Sequence, residues 1–254
     1  MSIKSGILAF ASQRVPTLSK HVLASAGYTL QPSRLAAGDE YVVWRAEAAE
    51  RQDRAWQPLV EAAKAGRARE DITALFDALD PLGEIPELLE VGCGGGYYSE
   101  ILANRYPGTR YRGLDISPAM IELARAHYPD RDFVVGSAYE LPDADSSQSV
   151  VMDGVALIHM PSWQRAIEEY ARVARDHVVL HGLTLAEGAG STTLFAKYAY
   201  GQPSLEYVFS RDEVAAACAA VGLSLQTVVG GLDYDLGPFL GIPSVSETWV
   251  LRVS

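Results

Sequence analysis

The sequence predicts a doubly wound α/β sheet preceded by a helical appendage. Three observations carry that prediction. From Leu88 onward, short apolar runs alternate with stretches of helical period. One run, Leu88–Leu89–Glu90–Val91, passes through Gly92, Gly94, Gly95 and Gly96 straight into a helical pattern at Ser99–Leu102. Ahead of it, residues 39–79 show helical spacing only.

Size and composition suit that class. The chain has 254 residues, 48% hydrophobic and 21% charged, enough for one α/β domain with an appendage. Its net charge is −11, which disfavours a nucleic-acid partner because an acidic surface repels a polyphosphate backbone. The charge is uneven: residues 1–38 contain Lys4, Arg14, Lys20 and Arg34 and no acid, so they carry +4. This segment resembles a transit peptide in composition. A basic arm that packs on the acidic body or on a second copy, giving a homodimer, is the preferred reading. The apolar stretch Gly6–Ala11 is too short for a signal core, and nothing approaches membrane-span length. Two cysteines, Cys93 and Cys218, have no metal-ligand spacing, so no metal site and a reducing, cytoplasmic setting are expected.

In the appendage, residues 1–71, a helix is expected over 39–66 from the spacing of Tyr41, Trp44, Ala48, Ala55, Leu59 and Ala63. Pro58 should kink it or start a second helix. Trp44 and Trp56 either anchor the appendage or cover a substrate pocket. The charged run Arg67–Asp71 reads as a break. Ile72, Leu75, Phe76 and Leu79 then make the amphipathic helix that opens the main domain, residues 72–254.

The spacing of the glycines restricts the ligand. A dinucleotide loop needs a third glycine where Tyr97 stands, which argues against a nicotinamide oxidoreductase, the rival enzyme class. The pattern Glu90-x-Gly92-x-Gly94-x-Gly96 instead resembles motif I of the class I S-adenosylmethionine (SAM) dependent methyltransferases of small-molecule type. The resemblance implies a seven-stranded sheet, six strands parallel and the last antiparallel, with SAM as cofactor and S-adenosylhomocysteine (SAH) as product. It places Glu90 near the SAM amino group and the loop residues Gly92, Cys93, Gly94 and Gly96 against the cofactor.

The following elements extend the resemblance. Tyr111–Asp115 reads as the second strand, and Gly113–Leu114–Asp115–Ile116–Ser117 resembles motif II. Asp115 would then accept the ribose hydroxyls, and Ile116 and Met120 would line the adenine. Ser117–Pro118 is an N-cap and first-turn pair. Phe133–Val135 is the third strand. The segment Gly136–Pro142 resembles motif III, with Ser137 where the family has an aspartate, so Ala138 carries over as the backbone contact. After the fourth strand, Ser149–Asp153, the segment Gly154–Pro161 resembles the family's post-strand histidine pattern. Asp153 and Gly154 would face the methionine end of SAM. His159 has two readings: a general base, or a residue tying this loop to its neighbour.

Beyond the motifs the elements are read from order alone. Ser162 caps a helix, His177–Leu183 is the fifth strand, and Thr184–Phe209 is a long aromatic loop at a strand's carboxyl end. The acceptor is therefore expected against Phe195, Tyr198, Tyr200 and Tyr207 there, against Tyr234 and Phe239 in the loop 230–246, and against Trp44. Ser210 and Glu213 form a capping box for the next helix. Leu223–Val229 and Thr248–Val253 are the last two strands. The function expected is methyl transfer to a small molecule, with oxygen or nitrogen favoured over carbon. The alternatives are the oxidoreductase and a non-catalytic SAM-binding partner module.

Overall fold

The computed structural model describes residues 28–30, 46–188, 190–200 and 202–254. Trp44 and the charged residues of the basic arm, Lys4, Arg14, Lys20 and Arg34, lie outside them.

The core is a seven-stranded sheet. Its strands are β2 (Glu87–Val91), β3 (Arg110–Asp115), β4 (Asp132–Val135), β5 (Gln148–Gly154), β6 (Ala174–Ala186), β9 (Leu223–Gly230) and β10 (Ser244–Val253). The order across the sheet is β4-β3-β2-β5-β6-β10-β9. Strands β4, β3, β2, β5 and β6 pair in parallel, while β10 is antiparallel to both β6 and β9. The last strand alone is therefore reversed. The central strands are buried on both sides, which explains their nearly unbroken apolar runs.

Helices cover both faces. On one lie α1 (Ala46–Lys64), α2 (Glu70–Leu79) and α3 (Tyr97–Arg105), whose Val60, Leu75 and Ile101 share a cluster with Leu88, Val150 and Val179 of the sheet. On the other lie α5 (Trp163–Val173) and α6 (Arg211–Ala220), where Trp163, Tyr170 and Val214 pack with Leu89, Val151 and Trp249. Between them in sequence, α4 (Pro118–His127) places Ile121 and Ala124 against Phe133. The Ser117 hydroxyl caps α4 by accepting the Met120 N–H at 3.3 Å.

Four expectations need correction. Pro58 does not start a second helix: α1 runs through it without a break. Pro58 and Arg54, whose carbonyl loses its helical partner, are both exposed, so water satisfies that carbonyl. The capping box at Ser210 does not form: Glu213 accepts the Thr192 N–H at 3.2 Å, and the Ser210 N–H donates to Thr192 Oγ1 at 3.0 Å. The strands β6 and β10 are longer than the apolar runs suggest, because they pair with each other from Ser244↔Ala186 to Arg252↔His177. Finally, Thr184–Phe209 is no loop. After β6 the chain forms a hairpin of β7 (Thr193–Ala199) and β8 (Gln202–Val208), joined by β1 (Tyr28–Thr29) into a second sheet. The alternation in β8 is inverted: Ser204, Glu206 and Val208 are buried while Leu205 and Tyr207 are half-exposed. A strand whose inward face carries polar residues hides from a search for apolar alternation.

Candidate active site

The carboxyl ends of β2, β3, β5 and β6 open on one cavity of about 580 Å³. This is the edge where ligands enter open α/β sheets. The hairpin and α1 form its outer walls.

The glycine loop builds the floor. Gly92 has φ +75°, and a Cβ there would lie 2.1 Å from Ala156 Cβ, so packing demands the glycine. Gly94 differs. Its φ is +52°, but a Cβ there would meet nothing closer than Gln52 Oε1 at 3.7 Å. The protein alone leaves room at Gly94, and the room belongs to the cavity. The Gly94 N–H donates to Asp115 Oδ2 at 2.9 Å, and the Ser117 N–H donates to Oδ1 at 2.8 Å. Asp115 is thus pinned at the end of β3 with lone pairs left over for further donors. Burial raises its pKa despite these two bonds.

The opposite lip is the turn after β5. Val155 sits at φ +66°, a strained position for a β-branched residue. Asp153 holds it there. Its Oδ1 accepts the N–H groups of Ala156 and Leu157 at 2.9 and 3.0 Å, and its Oδ2 accepts the Tyr170 hydroxyl at 2.8 Å. Burial pushes the Asp153 carboxyl up to about 6. Glu90 lies beneath Gly154, where an added Cβ would strike its Oε1. It accepts the Tyr111 hydroxyl, and burial pushes it up to about 8, so it is protonated at neutral pH.

Polar groups gather at the far end. His181 is buried between the Tyr98 hydroxyl, 2.9 Å from Nε2, and Thr248 Oγ1, 2.8 Å from Nδ1. Burial lowers its pKa to about 4, so the ring is neutral. The hairpin contributes Lys197, which donates to Tyr234 Oη at 3.0 Å and lies 3.6 Å from Glu206. His159 Nδ1 lies 2.8 Å from the Leu205 carbonyl. A carbonyl only accepts, so Nδ1 carries the proton and Nε2 is the basic nitrogen.

Of the residues singled out from sequence, Gly92, Gly94, Asp115, Ile116, Met120, Ala138, Gly154, His159, Tyr200 and Tyr234 line the cavity. Others stand behind it. Cys93 packs against Ile121 and Phe133. Gly96 is the left-handed cap of α3, facing the Phe133 ring. The Ser137 hydroxyl accepts the Tyr139 N–H at 3.1 Å. Phe195 is fully buried with Val208 and Leu236, and Phe239 stacks on Tyr28 at 4.8 Å. Tyr207 stacks on Phe209 at 5.7 Å. The Tyr198 side chain and Trp44 lie outside the described residues. Sequence reasoning missed Gln52, Arg69, Asp71, His181, Lys197 and Glu206, all of which line the cavity. Arg69 and Asp71 were hidden in a run that reads as a charged break, and His181 inside an apolar strand.

The geometry fits SAM. Backbone access at Gly94, a carboxylate at Asp115 and an apolar slot at Ile116, Met120 and Ala138 answer to a methionine end, a ribose and an adenine. Residues 89–181 match the family described as methyltransferase domain. A malonyl-[acyl-carrier protein] O-methyltransferase of Serratia marcescens is 27% identical over 149 residues, 58% of this chain and 58% of that protein. A demethylmenaquinone methyltransferase of Chlorobaculum parvum is 33% identical over 90 residues, 35% of this chain and 37% of the other. The chain thus spans less than two thirds of the length of these curated relatives. Among solved structures, SAM-bound CalS10, an amino pentose methyltransferase from Micromonospora echinaspora, is similar at TM-score 0.54 and 21% identity, covering 76% of this chain and 96% of that one. The [4+2]-cyclase SpnF is similar at TM-score 0.57 and 14% identity, covering 72% and 80%. Residues 89–181 thus carry a methyltransferase domain, and the sheet order and the cofactor-shaped cavity agree with the fold of SAM-dependent methyltransferases.

Proposed function

We propose that this protein transfers a methyl group from SAM to an oxygen or nitrogen of a small-molecule acceptor. One observation carries the reading: the cofactor half of the cavity, from Gly94 to Asp115, is continuous with a second half walled by His159, His181 and the hairpin. When bound, SAM supplies an electrophilic methyl on a sulfonium. Gly94 lets the backbone pass against the cofactor, Asp115 holds the ribose diol, and Ile116, Met120 and Ala138 clasp the adenine. Asp153 acts on the turn at Gly154 and Val155, which it holds against the methionine end. His159 stands on the acceptor side with Nδ1 fixed by Leu205. Its Nε2 takes the proton that an attacking hydroxyl or amine must lose.

Water exclusion falls to two elements. Gln52 and Trp56 of α1 line the cavity beside Gly94, and β8 lines it with Ser204 and Glu206. This arrangement supports the reading of residues 1–71 as a lid and of the 184–209 region as the acceptor wall, both closing on the domain 72–254. The relatives' printed acceptors, a malonyl thioester and a demethylmenaquinone, are consistent with a small-molecule substrate. No helix among the described residues is long and apolar enough to cross a membrane.

Thermal-shift titration with SAM, SAH and NAD tests the reading. Stabilisation by SAM and SAH, followed by SAH release when acceptor is added, supports it. Stabilisation by NAD alone refutes it in favour of an oxidoreductase. Tight SAM binding with no SAH from any acceptor tried refutes catalysis and leaves a binding module.

A further inference from the structure

We propose that the acceptor is an uncharged polyhydroxylated molecule of sugar-like chemistry, anchored through neighbouring hydroxyls by Lys197 and Glu206. The proposal rests on the methyltransferase reading above and names its acceptor class. Lys197 Nζ donates to Tyr234 Oη at 3.0 Å, and Tyr234 Oη donates to Glu206 Oε2 at 3.3 Å. Lys197 Nζ and Glu206 Oε1 stand 3.6 Å apart, too far for a hydrogen bond. Among the described residues, neither side chain has a further polar partner. Lys197 thus spends one of its three N–H groups on Tyr234, and Glu206 Oε1 keeps its lone pairs. Both residues line the cavity.

An unspent donor beside an unspent acceptor selects the ligand. Glu206 is buried, and Lys197 neutralises it. A ligand carboxylate would be repelled by Glu206, and a ligand ammonium by Lys197. A diol suits both groups, because one hydroxyl accepts from Nζ while its neighbour donates to Oε1. The lining continues in the same chemistry. Thr184 and Ser246 are paired across β6 and β10, and both line the cavity. Neither hydroxyl has a hydrogen-bond partner among the described residues.

The anchor is also placed for the chemistry. Lys197 is paired across the hairpin with Ser204, and Glu206 lies two residues on from Ser204, so the three share one face. Ser204 Oγ lies 3.4 Å from His159 Nδ1. A ring held at Lys197 and Glu206 therefore brings a further hydroxyl toward His159. That hydroxyl oxygen forms the new C–O bond as the methyl–sulfur bond breaks. The electron pair stays on sulfur, leaving SAH, and the hydroxyl proton passes to His159 Nε2.

Ligand-observed NMR on SAH-saturated protein tests the class. The probes are the methyl glycosides of glucose, galactose, mannose and xylose, and myo-inositol, set against tetrahydropyran, propionate, ethylamine and serine. We expect at least one polyol to bind and tetrahydropyran not to. The double variant Lys197→Met/Glu206→Gln strands neither charge. It should weaken polyol binding at least about tenfold while SAH affinity, read by calorimetry, stays within about twofold. Should it not fold, Thr184→Val and Ser246→Ala read the same site: each should weaken polyol binding severalfold, and no change in either overturns the proposal. Absence of binding by every polyol, or binding indifferent to the double variant, overturns it too. Tighter binding of propionate, ethylamine or serine makes the acceptor a charged one and has the same effect. Polyol and SAH affinity lost together marks a pair that merely holds the hairpin. Polyol binding by a protein that does not bind SAH refutes the methyltransferase reading and leaves the anchor standing.

Discussion

Gly94 offers a clean test, because two neighbouring glycines are required for different reasons. At Gly92 a Cβ would sit 2.1 Å from Ala156 Cβ, where carbon atoms normally keep about 3.5–4.0 Å. Gly92→Ala must therefore move the turn after β5 by well over an ångström. At Gly94 the nearest atom would be 3.7 Å away, so alanine fits the protein without a clash. Its cost to the fold is the left-handed backbone at φ +52°, about 1–2 kcal/mol. Its cost to the ligand is separate: the new methyl occupies the space where the backbone should meet SAM. Overpacking of that size costs about 1–3 kcal/mol, or roughly five- to a hundredfold in affinity. Gly94→Ala should therefore melt only slightly below wild type yet bind SAH far more weakly, and Gly94→Val should abolish binding. Gly92→Ala should lose stability and binding together. Thermal unfolding and calorimetry on the three variants read both quantities. A folded Gly94→Val that binds SAH with wild-type affinity would falsify the cradle.

Three further outcomes follow from the site. Asp115→Asn turns one oxygen into an amide nitrogen that faces an N–H donor, Gly94 or Ser117, and removes the charge meant for the ribose. SAH affinity should fall about ten- to hundredfold, and an unchanged dissociation constant would remove Asp115 from the site. Glu90 titrates at about 8 when folded against an ordinary 4.5, so between these values the folded protein holds a proton that the unfolded chain has lost. Its contribution is present below pH 4.5 and is lost as pH rises through 8, with a slope of up to about 1.4 kcal/mol per pH unit. Denaturant unfolding across pH 5–8 should show that slope in wild type and a flatter one in Glu90→Gln; equal slopes would refute a protonated Glu90. If His159 is the base, His159→Ala and His159→Asn should both lose about a hundredfold in kcat. Recovery in the asparagine variant, which keeps a donor for Leu205, would reduce His159 to a tie between the loop and the hairpin.

Fold similarity alone does not fix the chemistry. SpnF is a [4+2]-cyclase, yet it aligns at a TM-score as high as that of CalS10. Function must be argued from the groups lining the cavity.

The sequence by itself determined the half of the protein in which local chemistry dictates structure. A strand leading through Gly92, Gly94 and Gly96 into a helix, an acid closing the next strand at Asp115, and Ser117–Pro118 opening α4 all depend on contacts a few residues apart or on backbone geometry that few residue types tolerate. Those parts folded as their patterns predict. Only the tertiary structure decided the rest. Thr184–Phe209 reads as a loop because Ser204 and Glu206 turn polar side chains inward, a choice that makes sense only beside Lys197 and Tyr234. Arg69 and Asp71 read as a charged break until Trp56, thirteen residues earlier, brings the pair over the glycine loop. His181 reads as one more strand residue until Tyr98 and Thr248 close on its two nitrogens. The outer wall of the cavity is assembled from α1, β6, β7 and β8, segments far apart in the chain, and no local pattern in any one of them encodes what the others will place opposite.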